Sequence, residues 1–482
     1  MPDILTPDLC VIGAGSGGLS VAAAAAAFGV PVVLIEKGRM GGDCLNHGCV
    51  PSKALLAAAR HAAEAKNVTA FGLTLPRPEI DFAKVHAHVH RVIAAIAPND
   101  SKERFGGLGV HVIEGAARFK DAATVVVGKL EIKARRFVIA TGSRPAPPPI
   151  DGLATTPHFT NETIFELKRA PQHLIVIGAG AVGLELAQAF RRFGAEVTVL
   201  EAATPLANEE QECAAVVLAR LREEGVVIRA GVRVTRIGQK DGKIEVVVND
   251  DGAATEETAP PSSATILGSD LLVAAGRRPS IEGLELAAAR IKYTDRGIAI
   301  GKGLKSSNKR VYAIGDVAGG QFTHAANYHA GLVIRNALFR LPVRASDAAL
   351  PRVTFTDPEL AQVGLTEAQA RARFKSLRVL RWPYHENDRA QAERTTHGHI
   401  KVITKPSGRI LGCSIVGAQA GELITPWTLA IARGLNLRHM AGIVVPYPTL
   451  SEVSKRAAIS YFAPSLTHPR LRRLIAFLRR FG

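Results

Sequence analysis

The chain is organised around residues 41–53, which read Gly41-Gly42-Asp43-Cys44-Leu45-Asn46-His47-Gly48-Cys49-Val50-Pro51-Ser52-Lys53. Pro51 suits the first position of a helix and residues 54–65 are good helix formers, so Cys49 is predicted to lie just before a helix N-terminus. The positive end of that helix and the nearby Lys53 would stabilise a thiolate. The pattern favours a redox disulfide of Cys44 and Cys49. Two structural thiols or half of a metal site are the alternatives, and a metal site would need further ligands at suitable spacing.

A glycine-rich turn between a strand and a helix follows the first predicted strand, residues 8–12. The turn carries Gly13, Gly15 and Gly18, and the strand after the helix ends on Glu36. Glycines let a pyrophosphate approach the helix N-terminus, and the acid can accept a hydrogen bond from a ribose hydroxyl.

The same arrangement recurs after a predicted strand at residues 173–177. Its glycines are Gly178, Gly180 and Gly183, and Glu201 is the terminal acid, at the same separation from the first glycine as in the first turn. One such turn is weak evidence, but the repeated register predicts two bound dinucleotides.

The residues after Glu201 bear on the choice of nicotinamide cofactor. Ala202 and Ala203 follow it, so the carboxylate would repel the 2′-phosphate of NADPH with no arginine immediately beside it, and NADH is the expected ligand. Arg229 or Arg233 folding back from a neighbouring strand would leave NADPH as the alternative.

Composition sets outer bounds on the class of protein. The 482 residues predict about three domains, and 60 basic against 43 acidic residues give a net charge of +17. This charge favours anionic small molecules or a membrane surface, and nucleic acid is disfavoured because only six Tyr and two Trp could stack on bases. Five cysteines and an N-terminus without the basic start of a signal peptide predict a cytoplasmic location. The apolar run at residues 19–35 is broken by Gly29 and Pro31 and predicts a helix and a strand rather than one membrane span.

The cysteine motif closely resembles that of the flavin-dependent pyridine nucleotide-disulfide oxidoreductases, the family of dihydrolipoamide dehydrogenase, glutathione reductase and mercuric reductase. The resemblance implies that Cys44 exchanges with substrate, that Cys49 lies against the flavin of FAD in the first turn, and that NAD(P)H occupies the second. It also implies that Glu185 pairs with Lys53 near the nicotinamide, although an ordinary helix-surface glutamate is the alternative. Asp43 departs from the pattern, since many members carry Thr there.

Further segments resemble the family's boxes at the two chain crossings, residues 140–145 and 271–279, and its second FAD box, residues 311–316. The residues so assigned to the cofactors are Gly13, Gly15, Gly18, Glu36, Gly42, Lys53, Gly115, Thr141, Gly142, Gly178, Gly180, Gly183, Glu201, Gly276 and Asp316.

The region near Tyr447 and Glu452 resembles the part of the interface domain that lends residues to a partner's active site. Dihydrolipoamide dehydrogenase and glutathione reductase have a His where Tyr447 stands. A tyrosine titrates near 10 and is a poor proton shuttle at neutral pH, but it can donate a hydrogen bond or contact a metal ion. Mercuric reductases also carry Tyr here, together with a C-terminal cysteine pair that is lacking in this sequence.

The expected fold is α/β: two Rossmann-like dinucleotide-binding domains, for FAD and NAD(P), and a C-terminal α+β dimerisation domain. The expected boundaries are 1–148 and 272–342 for a split FAD domain, 149–271 for the NAD(P) domain, 343–463 for the interface domain and 464–482 for a tail. In the expected homodimer NADH reduces FAD and the flavin reduces the cysteine pair. The dithiol or the flavin itself then reduces a disulfide, a metal ion or another small acceptor. The polar segment 249–264 is expected to be a loose hairpin tip.

Two segments lie outside this scheme. His86, His88 and His90 on a predicted helix at residues 82–97 are spaced by two, which scatters them around the helix, so no resident metal site is predicted. The tail carries Leu471, Leu474, Ile475 and Leu478 on one face and arginines elsewhere. That face is expected either to pack on the interface domain or to touch an anionic membrane at the inner face, the latter as part of an alternative role as an electron-donating partner of another protein.

Overall fold

The computed structural model describes residues 3–76, 78–250, 263–320 and 322–481. Most of the polar segment predicted as a hairpin tip, residues 251–262, therefore lies outside the described residues.

The strands of the described chain are β1 Ile4–Leu5, β2 Leu9–Ile12, β3 Val32–Glu36, β4 Val110–Glu114, β5 Arg118–Phe119, β6 Val125–Val127, β7 Leu130–Ile132, β8 Arg136–Ile139, β9 Ser143–Pro145, β10 His173–Ile177, β11 Glu196–Glu201, β12 Val226–Ala230, β13 Val232–Lys240, β14 Lys243–Asp250, β15 Ser263–Gly268, β16 Asp270–Val273, β17 Arg277–Pro279, β18 Tyr293–Thr294, β19 Gly297–Ile298, β20 Val311–Ala313, β21 Arg352–Thr354, β22 Glu359–Gly364, β23 Arg378–Pro383, β24 His399–Thr404 and β25 Ile410–Gly417.

The α-helices are α1 Ser16–Ala27, α2 Gly42–Asn46, α3 Cys49–Asn67, α4 Phe82–Ile96, α5 Lys102–Gly107, α6 Ala181–Arg192, α7 Gln211–Glu223, α8 Thr323–Ala337, α9 Glu367–Arg373, α10 Asp388–Glu393, α11 Ala420–Leu423, α12 Thr425–Ala432, α13 Leu437–Gly442, α14 Glu452–Ser460, α15 Ala463–Leu466 and α16 Pro469–Leu478.

Two parallel sheets form the centres of the dinucleotide units. The first has the order β20-β8-β2-β3-β4 and the second the order β12-β11-β10-β16. Every residue of β2 is buried, as expected for a strand covered by helices or chain on both faces. β20 enters the first sheet from far along the sequence, so the chain leaves this unit, builds the second sheet and returns. The predicted pair of Rossmann-like units is confirmed.

The C-terminal region is built on an antiparallel sheet with the order β21-β22-β25-β24-β23. Helices α11 to α14 pack on it around the fully buried Trp427, whose indole N–H donates to Ser454 Oγ at 3.0 Å. Cys413 is fully buried in β25.

The C-terminal helix α16 does not pack its apolar face on the rest of its own chain. Leu474, Ile475 and Leu478 are each about half exposed, and α16 contains no buried residue. The expectation that this face is covered by the chain's own interface domain is therefore wrong for the single chain. Among the described helices, none has the combination of length and apolar character that crossing a bilayer requires.

Candidate active site

The cysteine segment is held directly against the first glycine turn. Gly41 N donates to Ala14 O at 2.9 Å, and a Cβ on Gly42 would lie 2.7 Å from the Cα of Gly15. Gly42 also has φ +60°, which L-residues with side chains rarely adopt. This position needs glycine for two reasons, and the contact fixes Cys44 in α2 beside the turn that the sequence assigned to FAD.

Cys49 is the first residue of α3 rather than the residue before its helix. The predicted helix start is two residues too late, because Ser52 N already bonds to Gly48 O at 3.1 Å and Pro51 lies inside the first turn. Proline is tolerated there since first-turn N–H groups have no helical partner. The correction places Cys49 in the electropositive first turn, where a thiolate is favoured.

The two cysteines are free thiols in the structure, and their environments separate their acidities. The pKa of Cys49 is lowered to about 6, chiefly by a hydrogen bond from Cys44, which burial opposes. Thr323 and the Lys53 ammonium lower it further, and the Asp43 charge raises it slightly. The pKa of Cys44 is raised, mainly by that same hydrogen bond and by burial. In the dithiol state the negative charge therefore resides on Cys49 at neutral pH.

Thr323 is a site residue that sequence reasoning missed. Its Oγ1 lies 3.6 Å from Cys49 Sγ, at the start of α8. Phe322 immediately before it has φ +74°, an uncommon and strained value for an aromatic residue. No sequence signal indicates a positive φ at a phenylalanine, so the approach of Thr323 to Cys49 could only come from the structure.

Asp43 has an ion-pair partner that explains how its charge is accommodated. Arg277 Nη2 lies 3.0 Å from Asp43 Oδ2, and Asn161 Nδ2 donates to Asp43 Oδ1 at 3.2 Å. The Arg277 guanidinium also donates to Ser143 Oγ at 2.8 Å, and Ser143 in turn donates to Asp316. Both chain crossings are thus tied to the cysteine segment. Burial raises the pKa of Asp316, against the Ser143 hydrogen bond that lowers it.

Lys53 and Glu185 meet as the sequence predicted. Lys53 Nζ lies 2.8 Å from Glu185 Oε2, and the Glu185 side chain is only 4% exposed, so the ordinary surface-glutamate alternative is excluded. Phe355 N donates to Glu185 Oε1 at 2.9 Å, and the Lys53 ammonium lies 4.3 Å from the centroid of the Phe355 ring. The C-terminal region therefore helps to hold this pair.

In both glycine turns an outer glycine packs tightly against backbone, and the middle glycine leaves room where a pyrophosphate would approach. A Cβ on Gly13 would lie 2.5 Å from Ala140 O, and a Cβ on Gly183 would lie 2.0 Å from Gly178 O. The middle glycines differ, because a Cβ on Gly15 would meet its nearest neighbour at 3.9 Å and one on Gly180 would meet nothing within 4 Å. Neither α1 nor α6 has a side-chain N-cap, so their first N–H groups point at this space. These features fit FAD at the first turn and NAD(P)H at the second.

The two terminal acids are bound alike. Glu36 Oε2 accepts from Ala14 N at 2.6 Å and Glu201 Oε2 accepts from Ala179 N at 2.8 Å. The second oxygen of each accepts one further backbone N–H, at 2.7 Å for Glu36 and 2.9 Å for Glu201. A carboxylate has about four acceptor positions, so each can still accept from a ribose hydroxyl. Arg229 lies opposite Leu200 in the sheet, one position from Glu201.

Of the other residues assigned to the cofactors, Gly115, Thr141 and Gly142 follow strands of the first sheet, and Gly276 lies between β16 and β17. Gly115 follows β4 and its N–H donates to Glu36 O at 2.8 Å. Thr141 Oγ1 donates to Ser280 O at 2.7 Å, and Gly142 O accepts from Ser280 N at 2.9 Å. Gly276 O accepts from Ala146 N at 3.2 Å, where β9 and β17 pair.

Tyr447 and Glu452 lie in the C-terminal region of the chain. Tyr447 is 70% exposed, and its hydroxyl donates to Asp388 Oδ2 at 2.8 Å. Asp388 raises the pKa of Tyr447, through the hydrogen bond and its charge, which makes proton shuttling at neutral pH still less favourable. Within the described residues no hydrogen bond or ion pair joins either side chain to Cys44 or Cys49. Glu452 begins α14.

The histidines of α4 are not all scattered, because His86 and His90 are four residues apart and share one helix face. Their rings have centroids 4.2 Å apart, and both lie near Glu166. The prediction considered only the two-residue spacing and overlooked this pair.

Comparison with known proteins agrees with this geometry. Residues 7–330 match the family model for pyridine nucleotide-disulphide oxidoreductases, and residues 350–458 match the dimerisation domain of that family. A mercuric reductase of Lysinibacillus sphaericus is 34% identical over 458 residues, covering 94% of this chain and 82% of the relative. A dihydrolipoyl dehydrogenase of Thermus scotoductus is 36% identical over 469 residues, covering 94% and 97%.

A similar solved structure is the Cu(II) complex of the HOCl-induced flavoprotein disulfide reductase RclA from Escherichia coli. It has a TM-score of 0.83 and 28% identity, and the match covers 95% of this chain and 99% of that one.

Proposed function

The chain belongs to the pyridine nucleotide-disulphide oxidoreductase family, and from this premise we propose that it passes electrons from NADH through Cys44 and Cys49 to a thiophilic metal ion. It is an enzyme of the flavoprotein type with FAD and NAD(P)H as cofactors, and its dimerisation domain supports a homodimer. The observation that carries the choice of acceptor is Tyr447 hydrogen-bonded to Asp388, where disulfide-exchanging relatives were expected to have a histidine base.

The overall stoichiometry follows from the cysteine pair. NADH and one proton convert the Cys44–Cys49 disulfide to the dithiol and release NAD⁺. The dithiol, or the flavin itself, then gives two electrons to one Hg²⁺ or to two Cu²⁺ ions. With the dithiol as donor, the S–S bond re-forms and two thiol protons are released. With the flavin as donor, the dithiol would hold the metal ion and stay reduced. When bound, FAD supplies the two-electron relay between the nicotinamide and the cysteines. None of these steps requires Tyr447 to transfer a proton.

Each proposed site residue has a distinct role. Cys49 holds the thiolate, supported by its lowered pKa, and Cys44 is the sulfur that meets the acceptor. Lys53 supplies positive charge near Cys49, and Glu185 fixes the lysine by their 2.8 Å ion pair. Tyr447, with Glu452 nearby, offers a hydroxyl to the acceptor in the partner subunit's site.

We also propose the domain division 1–148 with 272–342, 149–271 and 343–463. The entry of β20 into the first sheet and the pairing of β16 with β10 in the second support it, although β16 spans the proposed boundary at residue 272. We propose that the enzyme prefers NADH to NADPH, because the Glu201 carboxylate would repel the 2′-phosphate of NADPH.

An acceptor screen of the holoenzyme tests the choice of acceptor. NADH oxidation is measured with Hg²⁺ in excess thiol, with Cu²⁺ in the absence of added thiol, and with lipoamide or glutathione disulfide. We expect metal turnover in the wild type, none in Cys44→Ser, and a gain in lipoamide turnover on the order of 100-fold in Tyr447→His, the usual size of a general acid–base contribution.

The control is Tyr447→Phe, which removes the hydroxyl without adding a base and should not gain lipoamide turnover. Wild-type enzyme that reduces lipoamide or glutathione disulfide as fast as either metal ion would assign it to disulfide reduction instead.

For the tail, residues 464–482, we propose weak peripheral contact with anionic lipid. The exposed apolar face of α16 supports it, and the helix carries arginines but no acidic residue. The test is sedimentation with anionic and neutral vesicles at low and high salt, comparing the full chain with one stopped at Pro464. Equal sedimentation of both on anionic vesicles would dismiss the contact. A loss of dimer on truncation would show that the tail binds a second copy.

A further inference from the structure

A cluster of two histidines and one glutamate lies on the side of α4 that faces the short turn Ile164–Glu166. One possible ligand atom from each of His86, His90 and Glu166 lies within 4.8 Å of the others, and His90 Nε2 is 3.9 Å from Glu166 Oε2. We propose that these three residues bind one divalent transition-metal ion at a site separate from the cysteine pair.

An unpartnered buried atom points to a ligand at this cluster. His86 Nε2 is shielded from solvent and has no hydrogen-bond partner in the described chain. Buried polar atoms of native proteins are nearly always satisfied, so such an atom calls for an explanation. His86 also lines a small cavity whose other lining side chains, including Leu55, Phe82 and Phe190, are apolar. Such a space offers a water molecule few partners.

The donor set selects the kind of metal. Two imidazole nitrogens and one carboxylate suit Zn²⁺, Ni²⁺ or Cu²⁺, and three protein ligands leave a coordination position for water. His residues four apart on a helix present their rings to the same side. The ligand atoms must move closer together to bind, which the 63% exposure of the Glu166 side chain permits.

The charges near the cluster act in both directions. Lys168 contributes positive charge and opposes a cation, whereas the Glu166 carboxylate attracts one. His90 Nε2 also lies 3.3 Å from Phe165 O, a long contact that a metal bond would replace.

The site would join α4 to the turn that follows the first chain crossing. α4 also packs on α6, where the rings of Phe82 and Phe190 stack with centroids 6.0 Å apart. A bound metal would therefore stabilise the packing of these elements, and it takes no part in electron transfer.

Zinc binding by the holoenzyme tests the proposal. The protein is used in its disulfide form without an affinity tag, so that Cys44 and Cys49 are not ligands, and Zn²⁺ is titrated by calorimetry. We expect one Zn²⁺ per chain in the wild type and unchanged affinity in His88→Ala, a control from the same helix outside the cluster. Glu166→Gln and His90→Ala should each weaken binding at least tenfold.

A second readout guards against variants that fold poorly. Zn²⁺ should raise the unfolding temperature of the wild type and of His88→Ala, and Glu166→Gln should lose that rise. Glu166 is exposed, so its conservative substitution should not disturb folding. The proposal would be overturned if the wild type did not bind zinc stoichiometrically, or if Glu166→Gln and His90→Ala bound zinc as tightly as the wild type. Either result would leave only a contact between His90 and Glu166.

Discussion

Replacing Cys44 by alanine is expected to raise the pKa of Cys49, whereas replacing it by serine should leave that pKa near about 6, because serine keeps a donor at the same place. The hydrogen bond from Cys44 is the largest cause of the lowered value. Hydrogen bonds to charged groups contribute about 1.5–3 kcal/mol, and Cys49 is exposed, so we take the lower end, which is about one pKa unit. The pKa of Cys49 in Cys44→Ala should therefore lie near about 7.

The assay is the rate of iodoacetamide alkylation of the two holoenzyme variants between pH 4.5 and 9.5. Both variants carry one thiol at the site, and the other three cysteines are buried. At pH 6 the thiolate fraction should be about half in Cys44→Ser and about a tenth in Cys44→Ala, a rate ratio of about fivefold that disappears above about pH 8. Identical midpoints in the two variants would refute the view that Cys44 stabilises the Cys49 thiolate.

Three further outcomes are expected. Thr323→Val in the Cys44→Ser background should raise the Cys49 midpoint by less than about one unit in the same assay, while Thr323→Ser should not change it. Glu201→Gln should lower the ratio of kcat/KM for NADH over NADPH by about tenfold in steady-state kinetics, since it removes the charge that repels the 2′-phosphate. Lys401→Met should lower the free energy of unfolding in urea at pH 7 by about 3–5 kcal/mol, because buried Lys401 holds three carboxylates. Arg381 and then Lys401 keep the pKa of Glu212 at about 2, so its pairing stabilises the wild type above about pH 4.5 and is lost as the pH falls toward 2. The Lys401→Met variant should lose less stability over that interval, and an equal loss in both proteins would contradict this account.

Local sequence patterns determined most of the fold because they record short-range constraints. The two glycine turns, the buried strands beside them and the acids that end the next strands depend on contacts within some twenty residues, and β10 begins and ends where it was predicted. The cysteine segment and the Lys53–Glu185 pair were also found in advance, the latter through resemblance rather than spacing.

Several features depended on contacts between residues distant in the chain and could not be read from any local pattern. Asp43 is paired with Arg277, more than 230 positions away, and Thr323 reaches Cys49 across 274 positions. The cluster of His86 and His90 with Glu166 was missed because the third member lies in another element. The sequence determined which groups carry the chemistry, since glycine turns and cysteine spacing are local. The tertiary structure decided how acidic and how well held those groups are, because hydrogen bonds and burial arise only when distant segments pack together.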